Sequence, residues 1–389
     1  MLNKFNILSY AYLFCISLSF LEWSNFYNYS LSIDFYIFIA GVLLINSFAA
    51  ILDIKIISKI SNFNKNVSSK ITRSHTVDFL LIFYFCLNLI YTQTNPLWEL
   101  VNLRDYKDIN NLFGYSLFFL PFCMGRVMFL FETKTSRLDL IFIYLYFFIF
   151  ISNVSRIILF SMIITLLSYK FLNTLNFKKG LIFKYINIRT ISVLLFFGFG
   201  FGVLGEIRSS ESKSSEQALS QSVSVIRFIG DPSESFDNTG INDNFLWPYL
   251  YTVSPLYNLN NALLISANYD ENVLLKSILP NFIYQKLGIT KDKNFLVIDT
   301  FNTSTVNGEF ISSFGKGWGL IYYLFICIYV LIFSLLAKVF CNRITEIFIG
   351  VFLIFTIFSS VILKEIFVIT LLFSFVQGFL SSFQFKLYK

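Results

Sequence analysis

The chain has 389 residues, 56% of them hydrophobic and 14% charged, with a mean hydropathy of +0.67. A water-soluble domain of this length would need a polar shell that this composition does not provide, so the balance describes a membrane protein. The net charge of +7 is distributed between apolar segments and gathers into no single patch, which argues against nucleic acid as a partner and makes the basic residues a record of topology.

A helix crossing about 30 Å of hydrocarbon takes roughly 20 apolar residues. On that rule the sequence predicts ten spans, near 5–21, 33–52, 77–93, 114–131, 138–152, 157–169, 190–205, 318–337, 344–362 and 366–382. The first lacks a small-residue cleavage signal and is read as a retained helix. With the N-terminus inside, the inner loops hold Lys55, Lys59, Lys65, Lys70 and Arg73, then Lys134 and Arg137, then Lys170 to Arg189, and later Lys338, Arg343, Lys386 and Lys389. Most acids fall outside, so the positive-inside rule places both termini in the cytoplasm.

The stretch 138–169 is too long for one crossing, at about 48 Å for 1.5 Å per residue. A single span there would also reverse the charge bias downstream. Two short helices turning at Asn153-Val154-Ser155-Arg156 are therefore expected, with Arg156 recessed below the outer surface. The chain then divides into a first membrane region over residues 1–205, a large outer loop over 206–317 and a second membrane region over 318–389. Within the loop, Tyr249 to Ala267 and Glu271 to Leu287 read as helices that lie on the membrane face and roof a cavity, the second kinked at Pro280.

The 50 phenylalanines are read as lipid-facing packing. The five cysteines lie in or beside spans without a CxxC, so neither a disulfide framework nor a zinc site is indicated. No Asp-x-Asp occurs, and no divalent metal or other cofactor is expected. His75 reads as a solvated residue of an inner loop, and Arg126, near the inner end of its span, as one that snorkels out. Nucleotide-binding glycine loops and serine-hydrolase elbows are missing.

Arginines beside apolar spans are expensive and call for a partner. Arg156, Arg208 and Arg227 are candidates for a diphosphate, because a planar guanidinium makes paired, charge-assisted bonds to phosphate oxygens. The alternative for each is a lipid headgroup or an ion pair within the loop. A base that activates an acceptor hydroxyl must be a carboxylate, from Glu206, Asp231, Asp299 or Glu309. Proximity to the spans favours Glu206 and Glu309 as the catalytic pair of candidates.

Where the loop meets span eight, Asn302-Thr303-Ser304-Thr305 precedes Phe314-Gly315-Lys316-Gly317-Trp318-Gly319. With Arg208 shortly after span seven and Ser155-Arg156 opening an earlier helix, this resembles the O-antigen polymerase, or oligosaccharide repeat unit polymerase, family. Where compared members often carry an acid just before the Phe-Gly, this chain has Ser313. The three glycines also admit a structural reading, close backbone approach at the opening of a helix.

The resemblance implies an all-α polytopic membrane protein of GT-C-like glycosyltransferase architecture in the bacterial inner membrane. It implies an inverting, metal-independent transfer of a growing glycan from polyprenyl diphosphate to a hydroxyl of the next lipid-linked unit, yielding O-antigen or capsule. Membrane lipid, a chain-length regulator and a flippase are the partners this suggests. The competing readings are a ligase joining finished glycan to a lipid core, although such ligases often use an outer-loop histidine, and a flippase, which should carry charges in many spans.

Overall fold

A computed structural model describes residues 3–60, 75–101, 111–133, 136–153, 156–175, 198–200, 202–203, 205–206, 224–267, 269–279, 283, 296–297, 303, 305–340, 343–358 and 364–387. Among the described residues the structure is helical, with one isolated bridge between Ser24 and Pro232 as its only extended pairing. The helices are α1 Lys4–Ser19, α2 Ile33–Ile60, α3 Thr76–Thr92, α4 Pro96–Val101, α5 Leu120–Thr133, α6 Arg137–Ser152 and α7 Arg156–Leu175. They continue with α8 Val225–Gly230, α9 Glu234–Asp237, α10 Leu246–Leu264, α11 Glu271–Ile278, α12 Gly308–Phe314, α13 Lys316–Phe340, α14 Arg343–Phe355 and α15 Glu365–Leu387.

Stretches Ile33–Lys55, Tyr115–Glu132 and Lys316–Val339 are long and apolar enough to cross a membrane, and Thr76–Thr92, Ile158–Lys170 and Ile366–Gly378 are shorter apolar helices. On α2 the side chains of Ile33, Ile37, Leu44 and Phe48 are exposed, and on α13 those of Trp318, Ile321, Ile328 and Ile332. Apolar stripes of this length suit hydrocarbon and mark the chain as a membrane protein.

Helices occupy the positions predicted for spans one to six and eight to ten; most of 190–205 lies outside the described residues. The stretch 138–169 is two helices, as its length required. Asn153 caps α6 and binds the Tyr115 hydroxyl at 3.0 Å. At its other end Ser136 and Asp139 form a reciprocal capping box, which satisfies backbone N–H groups that the first turn leaves open.

α2 packs on α13, α5 on α15 and α14 on α7, while α1 touches α2, α14 and α10. The end of the bundle where α1 begins, called lower here, is held by two buried charge networks. In one, Asp53 accepts from Lys4 at 2.7 Å, Lys338 at 3.2 Å and Asn3 at 2.8 Å, and Lys338 also meets Glu346 at 3.2 Å, so α1, α2, α13 and α14 are joined. In the other, Asp78 is fully buried and takes both Nε and Nη2 of Arg126, at 2.7 and 2.8 Å, together with the Tyr146 hydroxyl at 2.8 Å.

His75 completes this second network, with Nδ1 3.1 Å from Asp78, Nε2 3.7 Å from Asp139 and its ring stacked on Phe142. Two sequence expectations are corrected here. Arg126 is buried instead of snorkelling, because Asp78 on α3 neutralises it inside the bundle, and His75 is packed between two carboxylates instead of solvated.

Residues 249–267, expected as a helix that roofs a cavity, are helical as far as Leu264. The helix there, α10, is buried on nearly every side and packs against α1, α2 and α12. It carries no charged residue on any face, as suits a helix buried on all sides. α14 stops at Phe355, short of the predicted 362, and the following Thr356 carbonyl accepts the Val306 N–H at 2.9 Å.

Truncating one partner of a buried ion pair leaves the other charge unpaired and costs about 3–5 kcal/mol. Arg126→Ala is therefore expected to lower the melting temperature of the detergent-purified protein sharply, and the apolar double variant Arg126→Met/Asp78→Leu to recover most of it. An unchanged melting curve for Arg126→Ala would remove this pair from the fold's supports.

Candidate functional site

At the upper end, α10 presents Ser254 and Asn258 one helical turn apart, on the same face. The Ser254 hydroxyl meets that of Thr303 at 2.7 Å. The Asn258 amide donates to the Thr303 carbonyl at 2.6 Å and accepts from the Val297 N–H at 2.8 Å. Further along the same helix, Asn260 accepts both the N–H and the hydroxyl of Ser32. α10 thus stitches the α1–α2 connection to the segment that precedes α12.

The same connection is tied again by Ser24, whose hydroxyl donates to the Gly230 carbonyl at 2.7 Å, and by the Trp23 N–H, which donates to the Tyr249 hydroxyl at 3.0 Å. Tyr27 is fully buried with its ring 5.0 Å from that of Tyr257. Its hydroxyl lies beside Ser254 without a well-formed hydrogen bond, and burial pushes the phenol above its ordinary range, so it remains a neutral donor.

The segment from Thr303 then enters α12 through a tight turn, with the Gly308 N–H on the Thr305 carbonyl at 3.0 Å. Thr305 is 2% exposed and Asn307 0%, and among the described residues the Thr305 hydroxyl and both amide atoms of Asn307 have no partner. Two residues on, Glu309 is half-buried, and among the described residues no hydrogen bond engages its carboxylate.

The glycines after α12 divide by role. Gly315 has φ +87° and makes the reversal into α13, a conformation that disfavours a side chain. At Gly319 a Cβ would overlap Ile311, so α12 and α13 approach closely there, whereas Gly317 faces open space.

The remaining site candidates have separate surroundings. The Glu206 carboxylate accepts the N–H groups of Val225 and Ile226, at 2.6 and 3.2 Å, and the Trp247 Nε1–H at 3.2 Å; it anchors the start of α8. Arg227 binds Asp243 through Nε at 2.9 Å and Asp237 through Nη2 at 2.5 Å, which is the loop ion pair weighed above as its alternative. These two carboxylates hold its guanidinium charged, above even its ordinary pKa. Asp231 has φ +40° and accepts from Asn25. Arg156 is the first residue of α7, at the upper end of the bundle, with its side chain outside the described set. Arg208, Asp299 and Asn302 also lie outside the described residues.

Sequence reasoning did not single out Tyr27, Ser254, Asn258 or Asn307. The available signal was α10 itself: a long helix without a charged residue is buried, so the polar residues it carries must find partners inside.

No protein-family model matches this chain, and no curated protein or solved structure is significantly similar to it. The site therefore has to be interpreted from its own chemistry.

Removing the Glu206 carboxylate leaves two backbone N–H groups and an indole N–H without their acceptor, at a cost of about 1–3 kcal/mol each where they are buried. Glu206→Ala is expected to loosen residues 224–247 and to increase trypsin cleavage after Arg227 in the solubilised protein. An unchanged digestion pattern would deny Glu206 this anchoring role.

Proposed function

We propose that this chain is a glycosyltransferase of the bacterial cytoplasmic membrane that joins polyprenyl-diphosphate-linked oligosaccharide repeat units into O-antigen or capsular polysaccharide. In this reading ten spans carry a GT-C-like architecture, both termini are cytoplasmic, and the upper end of the bundle faces the periplasm. The observation that supports it lies at the start of α12, where Glu309 is half-buried with no hydrogen bond to its carboxylate among the described residues, two positions after the buried amide of Asn307. Hydroxyl recognition beside a carboxylate is what an acceptor sugar needs.

The chemistry then runs without a nucleotide sugar. Glu309 takes the proton of the acceptor hydroxyl as its oxygen attacks the anomeric carbon of the growing glycan, with inversion. The bond from that carbon to the diphosphate breaks, and polyprenyl diphosphate departs with the electron pair. Arg156 and Arg208 neutralise the charge that develops on the leaving group. Glu206 and Arg227 serve the same loop structurally, since their groups are engaged within it. A flippase that delivers the units and a chain-length regulator are the partners this activity calls for.

Deleting the gene in its host and resolving the surface glycan on a denaturing gel tests the reading. A ladder reduced to core plus one repeat is expected, and Glu309→Gln or Arg156→Ala should reproduce it with the protein still present in the membrane. Loss of every repeat from the core would instead indicate the ligase or flippase, and an unchanged ladder would refute a role in this glycan.

A further inference from the structure

We propose that Leu264, Ile265, Tyr269, Leu274 and Leu275, around the passage from α10 to α11, lie against the lipid bilayer and make an interfacial anchor at the upper end of the bundle. The inference rests on the membrane assignment alone and stands whether or not the chain is a glycosyltransferase. Leu264 and Tyr269 leave 60% and 69% of their surface uncovered, so neither is a core residue with one edge showing. Ile265 is exposed beside them, and α11 buries Val273 while exposing Leu274 and Leu275. No charged residue occurs from Leu264 to Tyr269. Single exposed apolar residues are ordinary on a protein surface, but a cluster of them marks a contact. None of these five belongs to a described apolar stretch of spanning length, so a crossing helix does not account for them.

What covers the cluster follows from its neighbours. Ala267 lies beside Gly315, at which a Cβ would come within 3.8 Å of the alanine methyl, and the Tyr269 ring meets that of Phe314 edge-on at 5.2 Å. α11 itself packs on α12. The cluster therefore borders the turn from which α13 begins its exposed stripe of Trp318, Ile321, Ile328 and Ile332, within a stretch long and apolar enough to cross the membrane. An apolar surface continuous with a lipid-facing stripe shares its surroundings.

The charges nearby set the depth. Lys316 and Asp34 form an exposed ion pair at 2.9 Å, two residues before Trp318, and mark the level at which headgroups and water begin. Trp318 and Tyr269 stand at that boundary, each with an apolar ring and a polar group, the combination favoured at membrane interfaces. α11 has the sidedness this position requires, since Asn272, two residues before Leu274 and so on the far side of the helix, is exposed and polar. Because α11 packs on α12, the lipid contact also fixes the depth of α12 relative to the headgroups.

Leu274→p-benzoylphenylalanine and Leu275→p-benzoylphenylalanine, with Asn272→p-benzoylphenylalanine as the control, test the contact in proteoliposomes of phosphatidylethanolamine and phosphatidylglycerol. After irradiation, intact-mass measurement is expected to show phospholipid adducts at positions 274 and 275 and none at 272. Tyr269→p-benzoylphenylalanine, close in shape to the native ring, should also capture lipid, and it carries the test if the α11 variants fail to accumulate. Crosslinked dimers in place of lipid adducts would assign the cluster to a second copy of the chain, and the absence of any adduct would make it water-lined; either result overturns the anchor. Equal capture of lipid at 272 would immerse α11 in the hydrocarbon instead of laying it at the surface, and would overturn it as well.

Discussion

Hydrocarbon offers no water to hydrogen-bond, so a polar group inside a membrane bundle must find its partner within the protein. Around the buried carboxylates of Asp53 and Asp78 that constraint is met by closed sets of partners, and the rest of the structure depends on it. Asp78 gathers an arginine from α5, a tyrosine from α6 and the histidine just before α3. Asp53 gathers a lysine from α1 and another from α13, which in turn reaches α14. Pairs of this kind add little net stability compared with apolar packing, but breaking one is costly. Their effect is to bind seven helices at one end of the bundle.

With the lower end held in this way, the upper end carries irregular structure among the described residues. α14, at 13 residues and about 20 Å, is shorter than the hydrocarbon is thick, and the chain at Thr305 to Asn307 joins its end through the Val306 to Thr356 bond. Non-helical backbone at such a place is tolerated only when protein surrounds it. Here α12 packs on both α10 and α13, and the neutral side chains of α10 satisfy Thr303, while the buried Thr305 and Asn307 side chains have no hydrogen-bond partner among the described residues.

The same accounting separates the charged candidates. A carboxylate that already accepts three N–H groups, as Glu206 does, has little capacity left for a substrate proton. Glu309 is under no such commitment among the described residues. Arg227, bonded to two aspartates, is occupied in a way that its sequence neighbourhood does not reveal, because Asp237 and Asp243 lie ten and sixteen residues away along the chain.

What the sequence by itself determined is the local architecture. Apolar runs of near-span length located the helices, the excess length of 138–169 required a break near Asn153, and Gly315, Gly317 and Gly319 announced a tight passage from α12 into α13, in which Gly317 proved to face open space. These features depend on residues close together along the chain, where helix geometry and hydropathy act. The tertiary structure alone decided which polar groups are paired: that Arg126 meets Asp78 across 48 positions, that α10 is buried at the upper end of the bundle, and that Asn307 is enclosed without a partner among the described residues. Pairing across helices depends on which faces meet. That is settled by packing the whole bundle, and no single segment carries the information.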